Sequence, residues 1–328
     1  MTTILRLNLN SEKEILEKTA DILKKSGIAI VPTDTVYGLV CDGDSESAKK
    51  NIYIIKKRVE TKPLIAFVRS IEQAEKIAFI SKLSLPFILN RWPGRNTFVF
   101  RAKIESRYIV ARDHTVGLRI PAHGFINRLC DSFTFLASTS ANISSYGSAC
   151  CVEQIDSSIV DRVSITVDGG KVTGRESAIW DMTQDTPKLI RGRVLFVCSG
   201  NSCRSPMAQA ILQKFVKGSI VVISAGIEPD FYGSASRESI EAMKEVGIDV
   251  QKFVSKSLTR EMVEFSDLVF VMEEKHRERV LQLFPQAYDR VFVLNVQDPA
   301  GGDIFKYRQI RDIIKQRIIT DVLTRIKI

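Results

Sequence analysis

The stretch from Val194 to Pro206 constrains this chain most. Four consecutive apolar residues, Val194 to Val197, run straight into Cys198, Ser199, Gly200, Asn201, Ser202, Cys203, Arg204 and Ser205, and Pro206 then opens an amphipathic segment. An apolar run without alternation reads as a strand buried on both faces, and Pro suits the first turn of a helix. The rhythm continues with a strand at Ile220 to Ser224, a helix near Ala235 to Val246, a strand at Leu268 to Met272, a helix near Glu274 to Leu283, a strand at Val291 to Leu294 and a helix from Ile304. Strict alternation of strand and helix predicts a doubly wound parallel sheet.

The loop inside that first strand–helix turn is built for phosphate. A helix start leaves backbone N–H groups unpaired, so a loop wrapped there offers several donors and a positive dipole end to a dianion. Gly200 and Asn201 tolerate the left-handed backbone of a tight loop. The same field favours the thiolate of Cys198, with Arg204 adding full charge and the Ser205 hydroxyl able to bond the sulfur. Arg204 can grip phosphoryl oxygens with two parallel hydrogen bonds, a geometry Lys lacks. A bare C-x5-R recurs by chance, and a cysteine at a strand end is commonly a small buried hydrophobe. The complete string between strand and helix is far more specific.

Upstream the pattern differs. Ser11 to Lys25 predicts an amphipathic helix, with Ser11 and Glu14 as a capping box and Gly27 as the stop, followed by a strand at Ile28 to Val31. Short apolar runs at Leu64 to Val68, Thr97 to Phe100, Val116 to Ile120, Thr134 to Ala137, Val163 to Val167 and Ala178 to Met182 read as further strands, which suggests a mixed α/β domain. The seam falls at Gly192, giving domains 1–191 and 192–328. At 328 residues, 45% apolar and 26% charged, the chain can bury two separate cores.

The net charge of +9 suits polyanionic partners, but Lys and Arg are scattered without a block, so no RNA-binding stripe is visible. No apolar run approaches bilayer length and no basic leader precedes an apolar one, so a cytoplasmic protein without a membrane partner is expected. Six cysteines without a C-x-x-C pair fit a reducing compartment, and three scattered histidines, His114, His123 and His276, argue against a metal centre.

Cys198 to Pro206 resembles the active-site loop of the low-molecular-weight protein phosphatases, a Rossmann-like fold. Ser224, Ala225 and Gly226, and the run Asp298 to Gly302, stand where that family has its S-A-G and D-P segments. The resemblance implies that Cys198 forms a phosphocysteine, Asp298 protonates the leaving group and no cofactor is needed. Without it, Asp298 is a turn residue before Pro. Cys203 would either form a reversible disulfide with Cys198 or simply pack the loop. The small hydroxyl of Ser202 points to phosphoarginine rather than phosphotyrosine, although Ala300 replaces the aromatic residue usual in the pocket. A redox-regulated phosphate sensor is the rival reading.

Further upstream come Pro32 to Leu39, then Lys56, Lys57 and Arg58, Lys62-Pro63-Leu64, Trp92-Pro93-Gly94, Leu118 to Pro121, Ser138 to Asn142, and Glu176-Ser177. Singly these are turns and solvated charges. Their order over residues 4–191 resembles the threonylcarbamoyl-AMP synthases, a mixed twisted-sheet YrdC-like domain. That family joins L-threonine, bicarbonate and ATP, releasing pyrophosphate, to supply a tRNA modification. The resemblance assigns Thr35, Arg119, Ser138 and Ser177 to threonine. It assigns Lys56, Arg58, Lys62, Thr115, Ser140, Asn142, Ser148 and Arg191 to ATP, carried with Mg²⁺. Phe67 stands where some relatives place a threonine-binding His, and Arg95 to Thr97 replace a more apolar run. Together the halves imply a bifunctional enzyme with phosphorylated protein substrates and tRNA or tRNA-modification proteins as partners. The alternative is a tyrosine phosphatase delivered by a non-catalytic RNA- or nucleotide-binding module.

Overall fold

A computed structural model describes residues 2–328 apart from 60, 107, 144–146 and 230–232. The chain divides into two compact units, Met1–Pro187 and Lys188–Ile328. The division falls four residues before the Gly192 seam because the strand reaching Cys198 already starts at Lys188. Gly192 lies within that strand, where a side chain would meet the Asp267 carboxylate at 2.5 Å.

The first unit is a mixed sheet of β1 (Thr3–Arg6), β2 (Ala29–Val31), β3 (Gly38–Asp42), β4 (Ile65–Phe67), β5 (Ala78–Phe79), β6 (Asn96–Ala102), β7 (Thr115–Arg119), β8 (Leu136–Ser140), β9 (Ile165–Asp168) and β10 (Ala178–Asp181). Its order is β1-β9-β2-β3-β8-β4-β7-β6-β10, with β5 on β6. The antiparallel pairs β2/β3, β3/β8 and β4/β8 place Gly38 opposite both Val31 and Ser140, and Ser138 opposite Val40 and Ile65. Helix Glu12–Lys24 covers one face with Ile15, Ala20 and Leu23 buried against Val31, Val40 and Leu136. Ile15 and Leu23 each contribute about 1.5–3 kcal/mol by leaving water, the smaller Ala20 less.

Two expectations need correction in this unit. Ser11 gives no side-chain cap, because its backbone is already folded into a turn in which Asn8 Oδ1 accepts from the Asn10 and Ser11 amides, both at 3.0 Å. The run Pro32 to Leu39, read as loop, ends inside β3, whose register with β8 is set by pairing distant in sequence.

The second unit is a parallel sheet in the order β12-β11-β13-β14, with β11 (Lys188–Cys198), β12 (Ile220–Gly226), β13 (Leu268–Val271) and β14 (Val291–Val293). Val194 to Val197 are all fully buried, as a central parallel strand requires. Phe196, Phe270 and Phe292 form a cross-strand row with centroids 5.7 and 5.5 Å apart. Helix Arg204–Phe215 buries Met207, Ala208, Ile211 and Leu212. It starts two residues earlier than expected: Met207 N–H already bonds the Cys203 carbonyl at 3.2 Å, so Pro206 occupies a position with no hydrogen-bond duty. No described helix is long and apolar enough to cross a membrane.

Candidate active sites

In the second unit the loop from Cys198 to Arg204 sits between the end of β11 and the start of its helix. The carbonyls of Cys198, Ser199 and Ser202 accept outward, from Ile227 N (3.0 Å), Glu228 N (3.0 Å) and Ser236 N (2.8 Å). Carbonyls bound on the outside turn the loop's N–H side inward, the arrangement that receives an anion. Asn201 alone of the two expected residues takes the left-handed conformation, at φ 50°. It is held there by four bonds: Nδ2 donates to Ser205 Oγ (2.8 Å) and Ser224 Oγ (3.0 Å), Oδ1 accepts from Lys256 N (2.8 Å), and its carbonyl accepts from Ser255 Oγ (2.9 Å). Such over-determination sustains a backbone that would otherwise be strained.

Gly226 lets this loop close. A Cβ there would stand 2.6 Å from the Ser199 carbonyl oxygen and 2.9 Å from Asn201 N, which explains the glycine of the S-A-G run. The Cys198 sulfur is buried and lies 3.0 Å from Ser205 Oγ. Asn201 donates to that oxygen, and the Ser205 proton has two acceptors in reach, the sulfur at 3.0 Å and the Ala225 carbonyl at 3.4 Å.

Arg204 is 1% exposed yet fully engaged. One terminal nitrogen donates to Glu273 Oε2 at 2.5 Å and the Val296 carbonyl at 3.1 Å, while the other reaches Ser199 Oγ at 3.2 Å and Asp298 Oδ2. Asp298 is half-buried, and its second oxygen accepts from Ala300 N at 3.2 Å. Burial pushes the Glu273 carboxyl up, but the hydrogen bond and charge of Arg204 outweigh it and leave it below the usual range. His276, fully buried, accepts from Glu273 N at its Nδ1 (3.0 Å) and meets Ser199 Oγ at its Nε2 (3.0 Å). Burial, then the Arg204 charge, lowers its pKa to about 4, so the ring is neutral. Neither Glu273 nor His276 was legible as a site residue. Cys203 is a free thiol that burial raises to about 12, and Ser202 is half-buried beside Gly200.

In the first unit two motifs 84 and 86 residues apart meet at one ammonium: Lys56 Nζ donates to the carbonyls of Ser140 and Asn142. Asn142 Oδ1 accepts from Lys56 at 3.2 Å and from Ser140 Oγ at 2.5 Å. Lys56 ends helix Glu46–Lys56, Lys57 turns left-handed at φ 49°, and Arg58 folds back onto the Lys62 (2.9 Å) and Pro63 (3.0 Å) carbonyls. Burial, then the neighbouring Arg58 charge, lowers the Lys56 pKa to about 7. Glu176 opposes that shift and accepts from Ser148 Oγ at 2.7 Å.

Of the residues assigned to threonine, Thr35 meets Arg119, which is 3% exposed and donates to Thr35 Oγ1 (2.9 Å), Asp34 Oδ1 (2.5 Å) and the Gly94 carbonyl (3.0 Å). Asp34 was not singled out by sequence. Phe67 lies under the guanidinium, 5.7 Å from its centroid. Ser138 Oγ would stand 3.5 Å from a Cβ at Gly38, and Ser177 Oγ bonds Thr97 Oγ1 at 3.0 Å. Lys62 is exposed, Thr115 opens β7 with its hydroxyl on Asp113 Oδ1 at 2.7 Å, and Arg191 lies on β11 in the second unit.

The Sua5/YciO/YrdC family model, described as telomere recombination, matches residues 21–192, and the model described as low molecular weight phosphotyrosine protein phosphatase matches residues 193–327. The chain belongs to both families. Over 146 residues it is 36% identical to the threonylcarbamoyl-AMP synthase of Psychromonas ingrahamii, covering 43% of this chain and 76% of that one. Over 135 residues it is 36% identical to the protein-arginine-phosphatase of Bacillus subtilis, covering 38% of this chain and 89% of that one. The first unit shares its fold with Escherichia coli YciO, with a TM-score of 0.53 at 20% identity, over 58% of this chain and 94% of that one. Both parts of this Sua5/YrdC–phosphatase chain are therefore members of enzyme families.

Proposed function

We propose that this chain is a bifunctional enzyme: its first unit makes L-threonylcarbamoyl-AMP from threonine, bicarbonate and ATP, and its second removes phosphate from protein phosphoarginine. The observation that carries the reading is the convergence of Cys198, Ser205, Arg204 and Asp298 on one helix N-terminus, in a chain whose relatives carry those two names.

The Cys198 sulfur attacks phosphorus, the bond to the leaving nitrogen breaks, and Asp298, turned from Arg204 and protonated, delivers a proton to that nitrogen. Arg204 and the loop N–H groups hold the equatorial oxygens as charge redistributes, and water then cleaves the phosphocysteine. In the first unit Arg119 and Thr35 receive the threonine carboxylate and hydroxyl, while Lys56 and Arg58 neutralise the triphosphate as pyrophosphate leaves. Mg²⁺ would come with the nucleotide on its own phosphate oxygens and would offset triphosphate charge alongside Lys56 and Arg58. The product supplies tRNA modification in the cytoplasm, with tRNA-modification proteins as partners.

Phosphotyrosine is the second reading, kept because Ala300, whose amide donates to Asp298 Oδ1 at 3.2 Å, departs from the aromatic residue usual there. Rates on phosphoarginine and phosphotyrosine peptides separate the two, with Ser202→Ile measured alongside. A wild-type preference for phosphoarginine that Ser202→Ile reverses supports the arginine reading; a wild-type preference for phosphotyrosine overturns it.

A further inference from the structure

Asp298 has two incompatible duties. It is ion-paired to one terminal nitrogen of Arg204, yet as general acid it must carry a proton to the leaving group and let that nitrogen go. Among the described residues that nitrogen then keeps Ser199 Oγ at 3.2 Å, while Glu273 and the Val296 carbonyl hold the opposite nitrogen.

The orientation of Ser199 is set in turn. Nδ1 of His276 accepts from the Glu273 amide at 3.0 Å, at the start of helix Glu274–Leu283, so in the neutral ring the proton resides on Nε2 and is donated to Ser199 Oγ at 3.0 Å. Glu273 Oε2, 4.0 Å from the same Nε2, is beyond hydrogen-bond reach and remains with Arg204. Ser199 Oγ thus takes donors on both lone pairs, one from His276 and one from Arg204, and its place is fixed without its own proton.

We infer that His276 and Ser199 form a positioning relay for Arg204, one that holds the guanidinium in register while Asp298 is engaged with the leaving group. The inference rests on the phosphatase reading of this loop. Neither residue touches the reacting atoms. Their effect is on the clamp, and it is largest in the transition state, when Asp298 has released Arg204.

The test uses the full chain on an aryl phosphate and a phosphoarginine peptide, with orthovanadate and inorganic phosphate as competitive inhibitors. Ser199→Ala lowers kcat about tenfold to a hundredfold with little change in KM, the range expected for one hydrogen bond to a charged group. Inhibition by vanadate weakens by a similar factor while inhibition by phosphate changes less. His276→Leu gives the same loss, His276→Gln, which keeps a donor of similar reach, recovers part of it, and the Ser199→Ala/His276→Leu double variant is no worse than either single one. Should His276→Leu fail to fold, Ser199→Ala, at a half-buried position, still decides. An active wild type with unaltered kcat and vanadate inhibition in Ser199→Ala, or single losses that multiply in the double variant, overturns the relay alone. An inactive wild type overturns the phosphatase reading and the relay with it.

Discussion

The two units handle phosphate in opposite ways. In the second, the proposed nucleophile, its hydroxyl partner and the proposed clamp come from one continuous loop, Cys198 to Ser205, on one helix N-terminus. In the first, the cation Lys56 is completed by Ser140 and Asn142 on β8 and the loop after it, and Arg119 by Asp34 and Thr35 before β3. The charges differ as well. Arg204 is buried between two carboxylates, whereas Lys56 is buried among carbonyls with its pKa lowered to about 7. A contiguous site inherits its geometry from one turn; a dispersed one depends on sheet register.

The strongest way to break this comparison is to remove a member that the contiguous loop recruits from afar. Asp298→Asn is expected to lower kcat about a hundredfold or more on a substrate with a poor leaving group, and much less on a good one, read from steady-state rates. Equal losses on both would take Asp298 out of the acid role. Next in size, Gly226→Ala forces a Cβ to 2.6 Å from the Ser199 carbonyl oxygen. Overpacking of that kind costs about 1–3 kcal/mol, measurable by denaturant unfolding, and phosphatase activity falls with it. Unchanged stability and activity would mean that the loop does not need the close approach.

The smallest effect sharpens the charge contrast. A Lys56 pKa of about 7 leaves most of the free protein neutral at that position at about pH 8, and the triphosphate charge pulls the pKa up on binding. ATP binding therefore takes up close to one proton at about pH 8 and almost none at about pH 6, by calorimetry in buffers of different ionisation enthalpy. Lys56→Arg abolishes that difference. Equal uptake at both pH values would show that Lys56 is already charged in the free protein.

The same contrast explains what could be read from sequence. Cys198, Arg204 and Ser205 lie within one string, so residue type and spacing alone put them forward together. Glu273 and His276 were missed because they arrive from a helix start 69 and 77 residues away and look like ordinary charged-helix residues. Asp34 was passed over inside a run of small hydroxyl residues, since only the fold brings Arg119 to it across 85 residues. The parallel alternation of the second unit was legible because each apolar run is a short strand buried on both faces. In the first unit the capping box at Ser11 failed because a local Asn8 turn took its place, and β3 was read as loop because Gly38 opens it.

The most direct test is a crossed assay on the full chain. ATP- and threonine-dependent pyrophosphate release and phosphoarginine-peptide hydrolysis are measured in wild type, Lys56→Ala and Cys198→Ser. Two activities in wild type, with Lys56→Ala abolishing only pyrophosphate release and Cys198→Ser abolishing only hydrolysis, is the result expected of two separate sites. Wild type that hydrolyses phosphoarginine but releases no pyrophosphate would contradict the bifunctional account and leave the first unit as a binding module.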